Sequence, residues 1–172
     1  MSVESLATDH ATVSRVIRSR RSIRHYRLDP VPAPLLRELV ELALEAPSSF
    51  NLRARSVVVV SGAWSERFAA ASPEDARLFH EDLRERGLER EYAVKDAMIA
   101  ASFLMVAAEA AGLATSPMNG WDEDAVKKAV GIDGRDDLHI ALLVPLGHPA
   151  ESRRHSGRRD RSLTCFRETY GR

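Results

Sequence analysis

The sequence predicts a single α+β domain, and three observations carry that reading. Apolar residues fall at helical spacing over 9–20, 35–43 and, most densely, 91–111. Two aliphatic runs, 56–60 and 138–146, read as strands that close near Gly62 and Gly147. At 172 residues and 44% hydrophobic content, the chain has apolar area for one core of ordinary size.

In chain order, Val13, Val16 and Ile17 define a short first helix, with Asp9 or Thr12 positioned to cap it. Leu35, Leu36, Leu39, Leu42 and Ala43 form the stripe of a half-buried second helix that stops before Pro47. The run Ser56-Val57-Val58-Val59-Val60 predicts a strand buried on both faces, inside the sheet. Ser72 and Pro73 open a densely charged segment, 72–90, expected as an exposed helix interrupted near Gly87. The alanine-rich stretch 91–111 is the longest helix, with Gly112 placed for a left-handed end. It is apolar around most of its girth, and in a chain this small much of its cover has to come from a second subunit. Asp122 caps a short helix running through Val130, and 138–146 supplies the second strand, in which His139 reads as a paired sheet residue. The tail from Glu151 is arginine-rich and weakly patterned.

Composition narrows the function classes. The formal net charge is zero, so no global field draws the chain to nucleic acid or to an anionic membrane. No apolar run reaches the length of a membrane helix, and the start lacks a secretory layout, so the chain reads as soluble and cytoplasmic. A lone Cys165 allows no internal disulfide, and the histidines show no ligand spacing, so no metal site is expected.

Three clusters carry candidate chemistry. Arg20-Arg21-Ser22-Ile23-Arg24 follows a helix end and offers forked donors matched to a phosphate; on its own it is equally a solvated basic turn. Charge-assisted hydrogen bonds of this kind contribute about 1.5 to 3 kcal/mol each. Ala46-Pro47-Ser48-Ser49-Phe50-Asn51 is a stiff polar loop between a helix and a strand, able to approach a flat polar ring, or simply a turn. Gly112-Leu113-Ala114-Thr115-Ser116-Pro117-Met118-Asn119-Gly120 joins the long helix to the capped one and can bring backbone N–H groups close to a ligand; alone, it is a structural loop.

Taken in order, and followed by Leu146-Gly147-His148-Pro149, these stretches resemble the FMN-dependent nitroreductase family along nearly the whole chain. The resemblance implies a central mixed β-sheet surrounded by helices, in an intertwined homodimer with FMN between the subunits. Residues 1–172 would form one such domain, with 152–172 a C-terminal arm reaching toward the partner subunit. By the same resemblance Arg20, Arg21, Ser22 and Arg24 hold the FMN phosphate and ribityl chain. Pro47, Ser48, Ser49 and Asn51 resemble the loop that the partner lays along the flavin. Pro117, Met118, Asn119 and Gly120 match the stretch whose backbone passes over the ring and donates toward N5. In the tail, Arg159 and Arg161 resemble the basic pair that closes on the phosphate, with Arg158 able to replace either.

The pattern breaks in the middle. Family members generally carry another strand after the first, with residues that hydrogen-bond the pyrimidine edge of the flavin. Here 61–91 holds no β-branched run, so that strand is expected to be missing or replaced, with Arg53, Arg55 or Lys95 as substitutes at the pyrimidine edge. Where the family often has Gln, then Pro or another residue, then Trp, this chain has Arg53-Ala54-Arg55. The function implied is transfer of electrons from NADH or NADPH, through FMN, to a nitroaromatic, quinone or similar small acceptor, with 72–90 as the candidate lid. No side-chain acid or base is required. The alternative is a non-catalytic dimer of the same shell, serving as a scaffold or flavin store. Nucleic-acid binding through 153–161 is the third class, disfavoured by the neutral charge and the absence of interleaved aromatics.

Overall fold

The computed structural model describes residues 3–48, 55–60, 65–69 and 87–166. In chain order these form α1 (Val3–Ser19), α2 (Ala33–Leu44), β1 (Ser56–Val60), β2 (Ser65–Ala69), α3 (Glu89–Ala110), β3 (Ala114–Thr115), α4 (Glu123–Ala129), β4 (Leu146–Gly147) and a 3-10 turn at Arg161–Leu163.

The helices follow local chemistry. Helix α1 starts at Val3, earlier than the apolar spacing alone suggests, because neither glycine nor proline interrupts 3–9. Helix α3 ends as expected at Gly112, whose φ of 75° suits a residue without Cβ. There the Leu113 N–H donates to Ala108 O at 2.9 Å and the Gly112 N–H to Glu109 O at 3.1 Å, a paired cap that turns the chain into β3. Asp122 caps α4 as predicted, its carboxylate accepting the Ala125 N–H at 3.0 Å.

Helices α2 and α3 make the core. Leu39, Ala108 and Leu113 are its buried centre, with Val31, Leu35, Leu104, Ala107 and Leu146 packed around them. Alanines at 100 and 108 leave α3 without bulk on this side, which lets α2 lie close.

The strands depart from expectation in four ways. The strand thought missing after β1 is present: β2 pairs antiparallel with β1 in full register, from Ser56 opposite Ala69 to Val60 opposite Ser65. Its sequence, Ser65-Glu66-Arg67-Phe68-Ala69, has no β-branched residue, so cross-strand pairing with the valines rather than its own propensity makes it a strand. Among the described residues the central sheet is present as two two-stranded pieces, β1 with β2 and β3 with β4. Mixed pairing survives around the second piece, where Ser22 bridges Thr115 in parallel and Tyr26 bridges Pro149 antiparallel. Of the predicted strand 138–146 only its end, β4, is laddered, with one further bridge from Leu143 to Met118. Correspondingly, β1 is not buried on both faces. Val57 to Val59 are half-buried and Val60 is 70% exposed.

Between β1, α2, α3 and residues 138–147 lies an apolar cleft of about 1150 Å³. Gly147 sits against Tyr26, where an added Cβ would come within 3.1 Å of the ring, so a larger residue here would press the ring outward by a few tenths of an ångström.

Leu39 is 2% exposed and central to the α2–α3 contact. Leu39→Ala is expected to cost about 2–5 kcal/mol of unfolding free energy, read from the urea midpoint at unchanged slope.

Candidate cofactor site

The first cluster is assembled by backbone pairing. Beyond the end of α1 the Ile23 N–H donates to Thr115 O at 3.2 Å, and Ser22 lies in parallel register with Thr115. This seats Arg20, Arg21 and Ser22, all half-buried, beside the exit of α3. Thr115 and Ser116 are themselves buried.

Several donors here are left without partners. Among the described residues, Arg20 Nη1, Arg21 Nε and Thr115 Oγ1 are buried with no hydrogen-bond partner, and the fourth such atom is Arg55 Nε. Arg21 Nη1 donates to Arg18 O at 2.7 Å and Arg20 O at 2.8 Å, which fixes the guanidinium and leaves Nε facing inward. A buried unpaired N–H costs on the order of 1–3 kcal/mol, more on a cation, so an acceptor in this position would recover it.

The tail comes back over the same place. The Arg27 N–H donates to His148 O and the Ala150 N–H to His25 O, both at 2.9 Å. Glu151 then accepts the Arg24 N–H at 3.1 Å and Arg153 Nε at 3.0 Å. The Arg24 N–H, followed by Arg153, holds the Glu151 carboxyl below its ordinary range. Further along, partial loss of hydration, then the charges of Arg21 and Arg158, hold the His155 imidazole below its ordinary value.

The other predicted positions are distributed unevenly. Arg24, Arg159 and Arg161 are exposed. Pro47 is exposed and Ser48 half-buried, while Ser49, Asn51 and Arg53 lie outside the described residues, as does 72–86 of the candidate lid. Pro117 is half-buried and Met118, Asn119 and Gly120 are exposed. The Met118 N–H is taken by Leu143 O at 2.9 Å, so it is not a free donor toward a ligand. Among the described residues, none of these predicted positions lines the apolar cleft.

Two of the substitutes for the pyrimidine edge are committed elsewhere. Arg55 is 7% exposed and gives its Nη groups to the carbonyls of Leu44, Ala46 and Pro47, bracing the end of α2. Lys95 pairs on the surface with Glu91, one turn before it. His139 is not sheet-paired but meets Glu123 at 3.2 Å, where the carboxylate also accepts the Ile140 N–H and pairs with Arg90. Glu123, Glu151 and His155 were not singled out from the sequence. The one signal for Glu151 is an isolated acid at the head of an arginine-rich tail.

A sequence profile described as the Nitroreductase family matches residues 17–86 and 77–148. The NADH dehydrogenase of Thermus thermophilus is 33% identical over 174 residues, spanning 77% of this chain and 84% of that protein. A structure described as a candidate nitroreductase from Bacillus subtilis superposes with a TM-score of 0.67 at 25% identity, over 88% of this chain and 95% of its own. Another, a candidate nitroreductase in complex with FMN from Exiguobacterium sibiricum, gives 0.64 at 19% identity, over 85% and 92%, a likeness of fold.

Because the Glu151 carboxyl is lowered in the folded chain, its contribution is complete above the unfolded carboxylate value and lost as pH falls through the folded one. Hydrogen exchange at the Arg24 amide, after correction for intrinsic rates, is expected to be protected near neutrality and to lose protection on acidification. In Glu151→Ala the protection should be absent throughout.

Proposed function

This chain belongs to the nitroreductase family, and from that premise we propose that it is an FMN-dependent oxidoreductase that passes electrons from NADH or NADPH to a small acceptor such as a nitroaromatic or a quinone. The observation that carries the proposal is the pair of buried, unpartnered guanidinium N–H atoms, Arg20 Nη1 and Arg21 Nε, beside the Ser22 to Thr115 bridge. A phosphate monoester is the acceptor that fits them, being compact, dianionic and rich in lone pairs.

Bound FMN would supply the hydride chemistry, which no side chain here has to perform. Arg20, Arg21 and Ser22 bind the phosphate from the side of α1, and Arg24, Arg159 and Arg161 add positive charge at its rim. Along 117–120, with the Met118 N–H engaged, the Asn119 and Gly120 amides are the donors left to orient the ring. The alternative of a non-catalytic shell drew on a missing strand after β1, and β2 removes that ground.

The site is completed by a second copy. Met98, Ile99 and Phe103 on α3 are 37%, 38% and 44% exposed, and Val13 and Ile17 on the adjoining α1 are 53% and 58% exposed. An apolar face of this kind on two packed helices calls for cover by another copy of the chain, which would bring its own 47–51 loop to the flavin. The arm from 152 reaches toward that partner.

Purified protein is expected to be yellow, with the visible flavin absorbance bleaching on anaerobic titration with NADH or NADPH. Colourless protein that takes up no added FMN would overturn the proposal. Arg20→Ala and Arg21→Ala should each weaken FMN binding about tenfold or more, by loss of a charge-assisted bond, while leaving the thermal midpoint of the apoprotein nearly unchanged. Phe103→Glu together with Ile17→Glu should shift the sedimentation coefficient from dimer to monomer and lower flavin content with it.

A further inference from the structure

The ladder that begins with β3 and β4 runs on past both strands and then breaks off. Ala114 lies opposite Gly147 and Thr115 opposite Leu146. In the same register the Ser116 N–H donates to Pro145 O at 3.2 Å, and Met118 bridges Leu143, its N–H donating at 2.9 Å. One more rung would set Gly120 opposite Ala141. That rung is not made: Gly120 turns left-handed, with φ of 86°, and among the described residues its exposed N–H has no acceptor.

The chain is fastened again at Glu123. Its Oε1 accepts the Ile140 N–H at 3.2 Å and stands 3.2 Å from His139 Nδ1, while Oε2 accepts Arg90 Nη2, from the first turn of α3, at 3.0 Å. Lys127, one turn further along α4, brings Nζ to 3.7 Å from Oε1. The Ile140 N–H leads the groups that hold this carboxyl below its ordinary range. Residues 119–122 are therefore an arch with one foot on Leu143 and the other on Ile140, and Asp122 within it is engaged in capping α4. In the register above, position 121 would lie beside Ile140, where the Glu123 carboxylate is bound. The clasp and the further rung thus exclude one another.

We infer that Glu123 is a positioning residue for the ring-facing backbone: its carboxylate holds the arch off the ladder, so that the Gly120 N–H stays a free donor instead of closing on Ala141 O. This rests on reading 117–120 as the stretch beside the flavin ring. Water satisfies the open amide until a ligand arrives. Without the clasp, one backbone hydrogen bond favours the zipped arrangement, and a ligand has to break that bond before it can use the amide. Glu123 touches neither cofactor nor substrate in this role and acts through the main chain.

Reach, rather than charge, is what the clasp needs, and two substitutions separate them. Glu123→Asp keeps the charge and suits the start of a helix, but is one methylene short of the Ile140 N–H. Glu123→Gln keeps the reach and an acceptor oxygen without the charge. In the full chain without flavin, exchange of the Gly120 amide, resolved by NMR and corrected for intrinsic rates, is expected to be unprotected in wild type and in Glu123→Gln. In Glu123→Asp it should slow about fivefold, the effect of one added backbone hydrogen bond. Dissociation constants for FMN and for riboflavin, read by flavin fluorescence, should both rise about fivefold in Glu123→Asp and stay within about twofold of wild type in Glu123→Gln, since the ring and not the phosphate is affected. Losses in Glu123→Gln with none in Glu123→Asp would mark a role for the charge in holding α4 and overturn the inference. So would a Gly120 amide already protected in wild type, a Glu123→Asp protein unchanged in both exchange and affinity, or a loss confined to FMN. Wild type that binds neither flavin, with Gly120 exchange behaving as stated, would overturn the oxidoreductase reading and not the clasp.

Discussion

The hydrogen bond from the Ile23 amide to the Thr115 carbonyl joins two parts of the chain that sequence keeps far apart. On one side of it is the end of α1 with its arginines; on the other is the exit of the long apolar helix. The cap at Gly112 aims the chain at that point, and the β3–β4 ladder holds it there. Without this contact the guanidiniums of Arg20 and Arg21 would have no reason to be buried, and the returning tail would have no edge to follow. Both the polar cluster and its cover thus depend on the accuracy of one short parallel contact.

Apolar and polar forces divide the work. Burial of Leu39, Ala108 and Leu113 between α2 and α3 supplies the stability, and each of those side chains is almost wholly removed from water. The tail is held differently, by two backbone hydrogen bonds and the Glu151 carboxylate, with most of its side chains exposed. Elements fastened in this manner open at lower free energy than the core. The exposed apolar residues of α1 and α3, Val13, Ile17, Met98, Ile99 and Phe103, take no part in that core.

What the sequence made legible was what local chemistry decides. The end of α3 at Gly112 and the cap at Asp122 were readable because each depends on a few neighbouring residues. Strand β2 was not, since Ser65-Glu66-Arg67-Phe68-Ala69 has no strand preference of its own and is drawn into register by the valines opposite. The reverse happened at 138–146, where aliphatic composition promised a long strand and only its end found a ladder partner. At the site, the arginine-rich head was conspicuous by residue type. Glu151 meets the Arg24 N–H only when residues more than a hundred positions apart are brought together, and nothing in its own neighbourhood announces it. Arg55 shows the opposite error. Its charge suggested a ligand contact, and burial turned it to three carbonyls instead.

That guanidinium has a consequence for how this chain can vary. Arg55 grips residues 44, 46 and 47 from the other end of the connection to β1, so the neck of the connection is tied independently of what lies between. Lengthening a segment whose ends are already fastened costs little, about 0.6 kcal/mol for each doubling. A change of length between these two fastened ends is therefore expected to leave the end of α2 and the start of β1 in place.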